Sequence, residues 1–171
     1  MRKRKPELLD APEAFKTNTG FRFISKSDVA FKITIPRPHG GYLYRTVGLL
    51  RLGEEKALRK ALKERDQLGK ELWGKFWSKI ISDYTYLSHL PRNLEPVFFL
   101  DPTDTSKLGE YRANWTKFVD GKKDKVARRY RVSAHGKLGA YMLAKKELQE
   151  AYKDKLDLLK FMGRNSTLTM Q

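Results

Sequence analysis

A short pattern of small residues occurs twice in this chain and restricts the folds that it can adopt. A glycine is followed by alanines four and eight positions later, and the second occurrence lies 83 residues after the first: Gly53, Ala57, Ala61 and Gly136, Ala140, Ala144. Residues spaced by four share one face of a helix, and small ones let that helix lie close against a sheet. The repeat therefore predicts two helices with the same packing requirement.

Three segments with the alternation typical of β-strands precede each of these helices. Apolar residues occupy every second position, as in Phe31, Ile33 and Ile35, which is the period of a sheet with one buried face. The predicted strands are residues 20–25, 29–35 and 42–50 in the first half and residues 97–100, 111–118 and 126–133 in the second. The order strand, strand, strand, helix thus occurs twice, which indicates a duplication.

The sequence predicts an α+β fold: two repeats of a three-stranded antiparallel sheet packed on one α-helix, joined by a helical linker. The predicted parts are a basic N-terminal arm at 1–19, a first domain at 20–69, a helical linker at 70–95, a second domain at 96–161 and a flexible tail at 162–171. An ordinary charged terminus that aids solubility explains the first segment equally well. Trp73, Phe76 and Trp77 are predicted as core; if they were not core, they would form a homodimer patch.

The net charge limits the partners of the chain. There are 36 lysines and arginines against 20 aspartates and glutamates, which gives a formal charge of +16. Self-repulsion of this size opposes folding and is typical of proteins that bind a polyanion. Nucleic acid is the leading candidate, because each phosphate that the protein neutralises releases condensed counterions. An anionic membrane surface and packing into a ribosome are the alternatives.

The composition argues against several classes of function. Cysteine is absent and the three histidines lie far apart in the sequence, so we expect no disulfide, no metal site and no cofactor. No apolar run is long enough to span a membrane, and no signal peptide is predicted. No glycine-rich phosphate loop or nucleophile motif occurs, and Asp101, Asp104 and Asp120 lie in predicted turns. We therefore do not expect an enzyme.

Residues 111–144 resemble the Apetala-type, or ethylene-response-factor-type, DNA-binding domain. The resemblance rests on Ala113 and Trp115 in the second strand, on a Gly-Lys turn at 121–122, on the Arg-Tyr-Arg-Val-Ser run at 129–133 and on the glycine and alanines that open the helix. The order of small and aromatic residues in the second strand is inverted relative to the family. The first half of the chain lacks the strand tryptophan and matches the family more loosely.

This resemblance covers residues 20–69 and 96–155 and implies a sheet laid in the major groove of DNA, with the helix packed on its back. It implies no cofactor and no reaction. We therefore predict a sequence-specific double-stranded DNA-binding protein that acts as a transcriptional regulator, of phage or mobile-element origin. Such a protein would lie in the cytoplasm with the nucleoid, or in the nucleus of a eukaryotic host.

The strand pattern also indicates which side chains would face DNA. If Ala113 and Trp115 point inward, their neighbours point outward, and the same alternation applies around Tyr130 and Val132. Arginine suits a bidentate contact with guanine and asparagine one with adenine, while lysines at the rim hold phosphates. The predicted nucleic-acid-binding residues are Arg22, Lys26, Lys32, Thr34, Arg37, Tyr44, Arg45, Arg112, Asn114, Thr116, Lys117, Lys122, Lys123, Arg129 and Arg131.

Two other binding functions fit the charge. An RNA-binding or ribosome-associated protein would be favoured by exposed aromatic residues on the sheets, because single-stranded bases stack on them. The strand aromatics have the parity of the inward side, which favours duplex DNA: Phe21, Phe23, Phe31, Trp115 and Tyr130. A phage-type inhibitor that binds another protein is the remaining alternative.

Overall fold

Each half of the chain forms a three-stranded antiparallel sheet that is followed by a long helix. The structure is a computed structural model, and it describes residues 5–100, 108–119 and 122–165 without the side chains of 118 and 119. The chain divides into two units, Met1–His89 and Leu90–Gln171. The predicted α+β fold with two three-stranded antiparallel sheets is confirmed.

The first unit contains a sheet of order β1-β2-β3 and a helical layer with more than one member. Helix α1 contacts all three strands. Trp77 of the following helix, α2, stacks on Phe23, the residue before β1, with ring centroids 5.8 Å apart, so a second helix contributes to the unit. The bounds are β1 Ile24–Lys26, β2 Ala30–Pro36, β3 Tyr42–Gly48, α1 Glu54–Trp73 and α2 Trp77–Ser82, with 3-10 turns at Glu13–Phe15 and Gly74–Phe76.

The second unit repeats this order with longer strands. Helix α3 contacts β5 and β6, and Leu158 and Leu159 of α4 are buried. The bounds are β4 Val97–Phe99, β5 Glu110–Val119, β6 Lys122–Arg131, α3 Val132–Ala151 and α4 Leu156–Phe161, with a 3-10 turn at Lys153–Lys155. The sheet order is β4-β5-β6.

The small residues of the repeat lie where the sequence predicts. All four alanines have no exposed surface, as a close approach of helix to sheet requires: Ala57, Ala61, Ala140 and Ala144. Gly53 and Gly136 share one backbone conformation, with φ 73° and ψ 158° in the first and φ 68° and ψ 165° in the second. This region of φ and ψ is open almost only to glycine. Gly136 therefore interrupts α3 after its first turn, at the position that corresponds to the start of α1.

The predicted N-terminal arm is wrong for the described residues from Pro6 onward, because they pack into the first unit. Leu8 is buried, and its N–H donates to the carbonyl of Gly20 over 3.0 Å. The carboxylate of Glu7 forms an ion pair with Arg65, a fully buried residue of α1. A buried guanidinium requires such a partner, and this requirement holds the segment in place. The basic residues at positions 2–4 lie outside the described residues.

The predicted linker at 70–95 is wrong as well. Trp73, Phe76 and Trp77 are buried in the first unit, whereas Leu94 is buried in the core of the second. The boundary falls between His89 and Leu90, inside the segment that was predicted as a linker. Because these aromatic residues are core, the condition for a homodimer patch is not met.

The start of the tail and the first strand also differ from prediction. Met162 is buried, and the N–H of Leu94 donates to the carbonyl of Arg164 over 2.9 Å, so the tail is packed at least as far as Asn165. Strand β1 begins at Ile24 rather than at residue 20, because Phe23 has a φ of 64°, which ends the extended conformation.

Candidate nucleic-acid interface

The register of β5 with β6 decides which side chains share a face, since directly opposed residues of an antiparallel pair point to the same side. Ala113 opposes Arg128 and is fully buried, so this parity marks the side that α3 covers. Arg112 opposes Arg129, and Asn114 opposes Ala127, on the other side. We call the latter side the second outer face; its polar residues are Glu110, Arg112, Asn114, Thr116, Lys123, Lys125, Arg129 and Arg131.

Five cations and one acid lie on the second outer face among the described residues of β5 and β6. The acid is Glu110, whose carboxylate lies 2.6 Å from the Nε of Arg112 and 3.9 Å from the Nε of Arg129. The guanidinium of Arg112 also lies over the ring of Phe99, 3.6 Å from its centroid. Arg112 is therefore held in one orientation by a carboxylate and an aromatic ring. Arg129 and Arg131 are exposed to solvent.

A shallow cleft of about 360 Å³ lies at one end of this face. Its lining is Glu110, Arg129, Arg131, Ala134 and His135. The first turn of α3 supplies Ala134 and His135, so the break at Gly136 shapes the cleft. Two guanidinium groups at an open cleft are suited to an anionic ligand with planar oxygen or nitrogen acceptors, such as a phosphate or a base edge.

Two predicted contacts of the second unit lie on the wrong side. Lys117 opposes Asp124, and Lys122 opposes Val119, which gives both lysines the parity of the side that faces α3. Lys125, in contrast, opposes Thr116 and belongs to the second outer face, although it was not among the predicted contacts. Counting alternation back along β6 from Arg129 would have found it, because every second residue shares a face.

The side that faces α3 carries aromatic residues where the helix covers it. Tyr111 packs edge-on against Tyr141, with ring centroids 5.5 Å apart. Burial, and then a hydrogen bond with Glu147, raises the pKa of Tyr130, so this phenol stays neutral at physiological pH. Trp115 and Tyr130 are partly buried against the core. The inward parity that the sequence predicts for the strand aromatics is confirmed for these two residues.

The first sheet has a different outer side, which we call the first outer face. Lys32 opposes Thr46, and Thr34 opposes Tyr44, on the side away from the buried Ile33. The polar residues of this face are Ser25, Lys32, Thr34, Tyr42, Tyr44 and Thr46. It thus contains one cation where the second outer face has five. Lys32, Thr34 and Tyr44 are the predicted contacts that the structure brings together here.

The sequence predicted that Arg22 faces outward, but the residue is buried, with 8% of its surface exposed. Its guanidinium donates to the carbonyls of Ile80, Asp83 and Tyr84 at the end of α2. Burial lowers its pKa to about 10, while Asp83 and Glu7 act in the opposite direction. Arg22 therefore remains charged at neutral pH and binds carbonyls at a helix end.

Three further predicted contacts lie at the margin of the first sheet. Lys26 opposes Phe31 on the helix side and forms an ion pair with Glu54 over 2.7 Å. Arg45 opposes Ile33, so its parity is also that of the helix side, although it is exposed on the edge strand. Arg37 is exposed in the turn between β2 and β3. The outward orientation expected for Lys26 and Arg45 is wrong by register.

Comparison with known proteins adds no assignment: no family model matches the chain, and no curated protein matches it. Across the residues that the structure describes, no helix is both long and apolar enough to cross a membrane. In the same part of the chain, no three histidine or carboxylate side chains come together as metal ligands would.

Proposed function

We propose that this chain binds double-stranded DNA in a sequence-specific manner through the second outer face and acts as a transcriptional regulator. The observation that carries the proposal is the concentration of five cations on one side of β5 and β6, opposed by one carboxylate. Natural sheet surfaces usually mix the two signs of charge, so this bias favours a polyanionic ligand. The resemblance to the Apetala-type domain implies the same ligand and the same side of the sheet.

The dimensions of the sheet suit the major groove. The groove is about 12 Å wide and admits a two-stranded β-ribbon. Outward residues of one strand, such as Arg129 and Arg131, are spaced by about 6.7 Å, which is close to the rise of two base pairs. Successive outward side chains can therefore contact base pairs at regular steps along one groove.

The side chains of this face divide into two roles. Arg129, Arg131 and Asn114 can form bidentate contacts with guanine or adenine, each of which discriminates against a wrong base by about 1–3 kcal/mol. Lys123 and Lys125 are suited to phosphates, which fix the register of the protein without reading the sequence. A DNA partner would place the chain with the nucleoid, or in the nucleus of a eukaryotic host.

The test begins with selection of bound sites from a random duplex pool, followed by fluorescence anisotropy on the selected site. Arg129→Ala with Arg131→Ala should abolish specific binding and leave the fold intact. Lys56→Ala with Lys63→Ala removes the same charge from exposed positions of α1 and is the matched control. Full affinity in the arginine variant, or an equal loss in both variants, would contradict the proposal.

Salt dependence gives a second, independent readout. Because Lys123 and Lys125 are assigned to phosphates, each should contribute about −0.9 to the slope of the logarithm of affinity against the logarithm of salt concentration. Lys123→Ala with Lys125→Ala should therefore reduce the magnitude of this slope by about 1.8, whereas the arginine variant, which loses base contacts, should leave the slope nearly unchanged. If the affinity does not change with salt concentration, contacts with phosphates do not dominate the interface.

A further inference from the structure

Two tyrosines on the first outer face are exposed. Tyr42 and Tyr44 have 56% and 64% of their surface accessible, and their ring centroids lie 6.2 Å apart. Both lie on β3, an edge strand of the sheet. Leu43 between them opposes the buried Ile35, so the register directs the two rings away from α1. The ring planes are tilted by 41° to one another, so the pair presents two separate aromatic faces on the open side of the sheet.

The electrostatic surroundings of this pair favour an anionic ligand. Between Ile24 and Gly48 the sequence has a single acid, Asp28, which lies in the turn between β1 and β2. Lys32 lies on the same face as the tyrosines, and Arg37 is exposed in the turn that leads into β3. Positive charge therefore accompanies the rings without an opposing carboxylate on this face.

This combination differs in kind from that of the second outer face. One cation on this face is too few to follow the two phosphate backbones of a duplex, where each neutralised phosphate contributes to affinity. Exposed aromatic rings with a few nearby cations are instead the arrangement on which unpaired bases stack. A base presents its π-face only when it is not stacked within a duplex, so the rings select a single strand.

We propose that the first outer face binds single-stranded DNA, with bases stacked on Tyr42 and Tyr44 and with phosphates contacted by Lys32 and Arg37. The choice of DNA over RNA rests on the proposed function, since a chain that binds duplex DNA holds nearby DNA strands at high effective concentration. The stacking itself is argued from the two rings and does not depend on the duplex site.

The experiment measures anisotropy of a labelled 20-nucleotide DNA strand that cannot form a duplex, with the full chain. The chain carries Arg129→Ala and Arg131→Ala in all arms, so that the second outer face contributes little. Tyr42→Thr with Tyr44→Thr should weaken binding by about 5- to 150-fold for each lost stacking contact. Tyr42→Phe with Tyr44→Phe keeps both rings and should stay within about twofold of the parent affinity. Threonine suits a strand, and both side chains are exposed, so thermal unfolding should be unchanged.

The outcomes separate this inference from the proposed function. If the threonine variant keeps its affinity for the single strand, or the phenylalanine variant loses as much affinity as the threonine variant, the inference that bases stack on these rings is wrong. The proposal of a duplex-binding second outer face is unaffected by either result. If ring-dependent binding persists but the chain with native arginines binds no duplex, the proposed function fails and the stacking surface remains. Tighter ring-dependent binding of an RNA strand of the same sequence would overturn the choice of DNA. If the rings are needed for self-association of the chain and no strand binds, the assignment of single-stranded DNA as the ligand is wrong.

Discussion

The guanidinium of Arg65 forms a bidentate ion pair with the carboxylate of Glu7, with Nη1–Oε2 and Nη2–Oε1 distances of 2.7 and 2.8 Å. Arg65 lies in the middle of α1 and has no exposed surface, whereas Glu7 lies 58 positions earlier in the chain. Asp66 accepts from the same guanidinium over 2.8 Å. This pair joins the segment before the first sheet to the helix behind it.

Glu7→Ala should destabilise the first unit by about 3 kcal/mol, because removal of one partner leaves a buried charge that Asp66 compensates only in part. Denaturant unfolding followed by tryptophan fluorescence measures the change. Glu13→Ala is the control, since Glu13 pairs with Lys16 at the surface and should contribute less than about 1 kcal/mol. Equal effects of the two substitutions would show that the segment is not held by Arg65.

Arg22→Ala should lower stability without a selective effect on DNA binding. The substitution removes the donor to three carbonyls at the end of α2, and we expect a loss of about 3 kcal/mol. Arg51→Ala, at an exposed position, should change stability by less than about 0.5 kcal/mol. Thermal unfolding and duplex affinity per folded molecule are the measurements. If the Arg22→Ala protein is folded but has lost its affinity for duplex DNA, Arg22 belongs to the DNA interface after all.

Gly136→Ala should destabilise the second unit by about 1–3 kcal/mol, because its φ and ψ lie in a region that side chains rarely enter. Gly53→Ala should cost the first unit a similar amount. Gly139→Ala is the matched control: this glycine is helical, and an added Cβ would meet the Cβ of His135 at an ordinary 3.5 Å. It should be neutral or stabilising by up to about 1 kcal/mol. A neutral result at Gly136 would argue that α3 does not need the break.

Glu110→Gln should strengthen binding to any duplex and weaken discrimination between sites. The carboxylate repels phosphates, yet it orients Arg112 and Arg129. We expect the ratio of specific to non-specific affinity to fall by up to about tenfold, which corresponds to one weakened bidentate contact. Glu150→Gln removes the same charge from the surface of α3 and should leave the ratio unchanged. An unchanged ratio in Glu110→Gln would mean that Glu110 positions neither arginine for base contacts.

The sequence predicted the layered architecture because hydrophobic periodicity is local. The alternation of Phe31, Ile33 and Ile35 and the spacing of Ala57 and Ala61 could be read without knowledge of distant residues, and all five are buried. The same alternation predicted the outward orientation of Arg129 and Arg131, which are exposed. Both features depend only on the geometry of a strand or a helix.

The errors arose where contacts with residues distant in the sequence determine whether a side chain is buried or exposed. Arg22 follows the same local pattern as Lys32, and only the approach of α2 turns it into a buried ligand of helix carbonyls. The sequence around Glu7 is typical of a charged terminus, and nothing local indicates that its carboxylate pairs with the buried Arg65. The errors for Lys117 and Lys122 have another cause. Alternation from Trp115 already gives Lys117 the inward parity, against its prediction as a contact, and Lys122 lies outside the predicted strand at 126–133, so its parity could not be counted.

Alternation along β2 and β5 places most inward residues in the core and leaves most outward residues out of it. The positions that hold each half together are therefore separate from those that a ligand would meet. Exchange of an outward side chain leaves the interior as it was, and each half has an interior of its own. For an engineer, this chain offers two sheets of common topology whose outward positions can be edited separately from either interior.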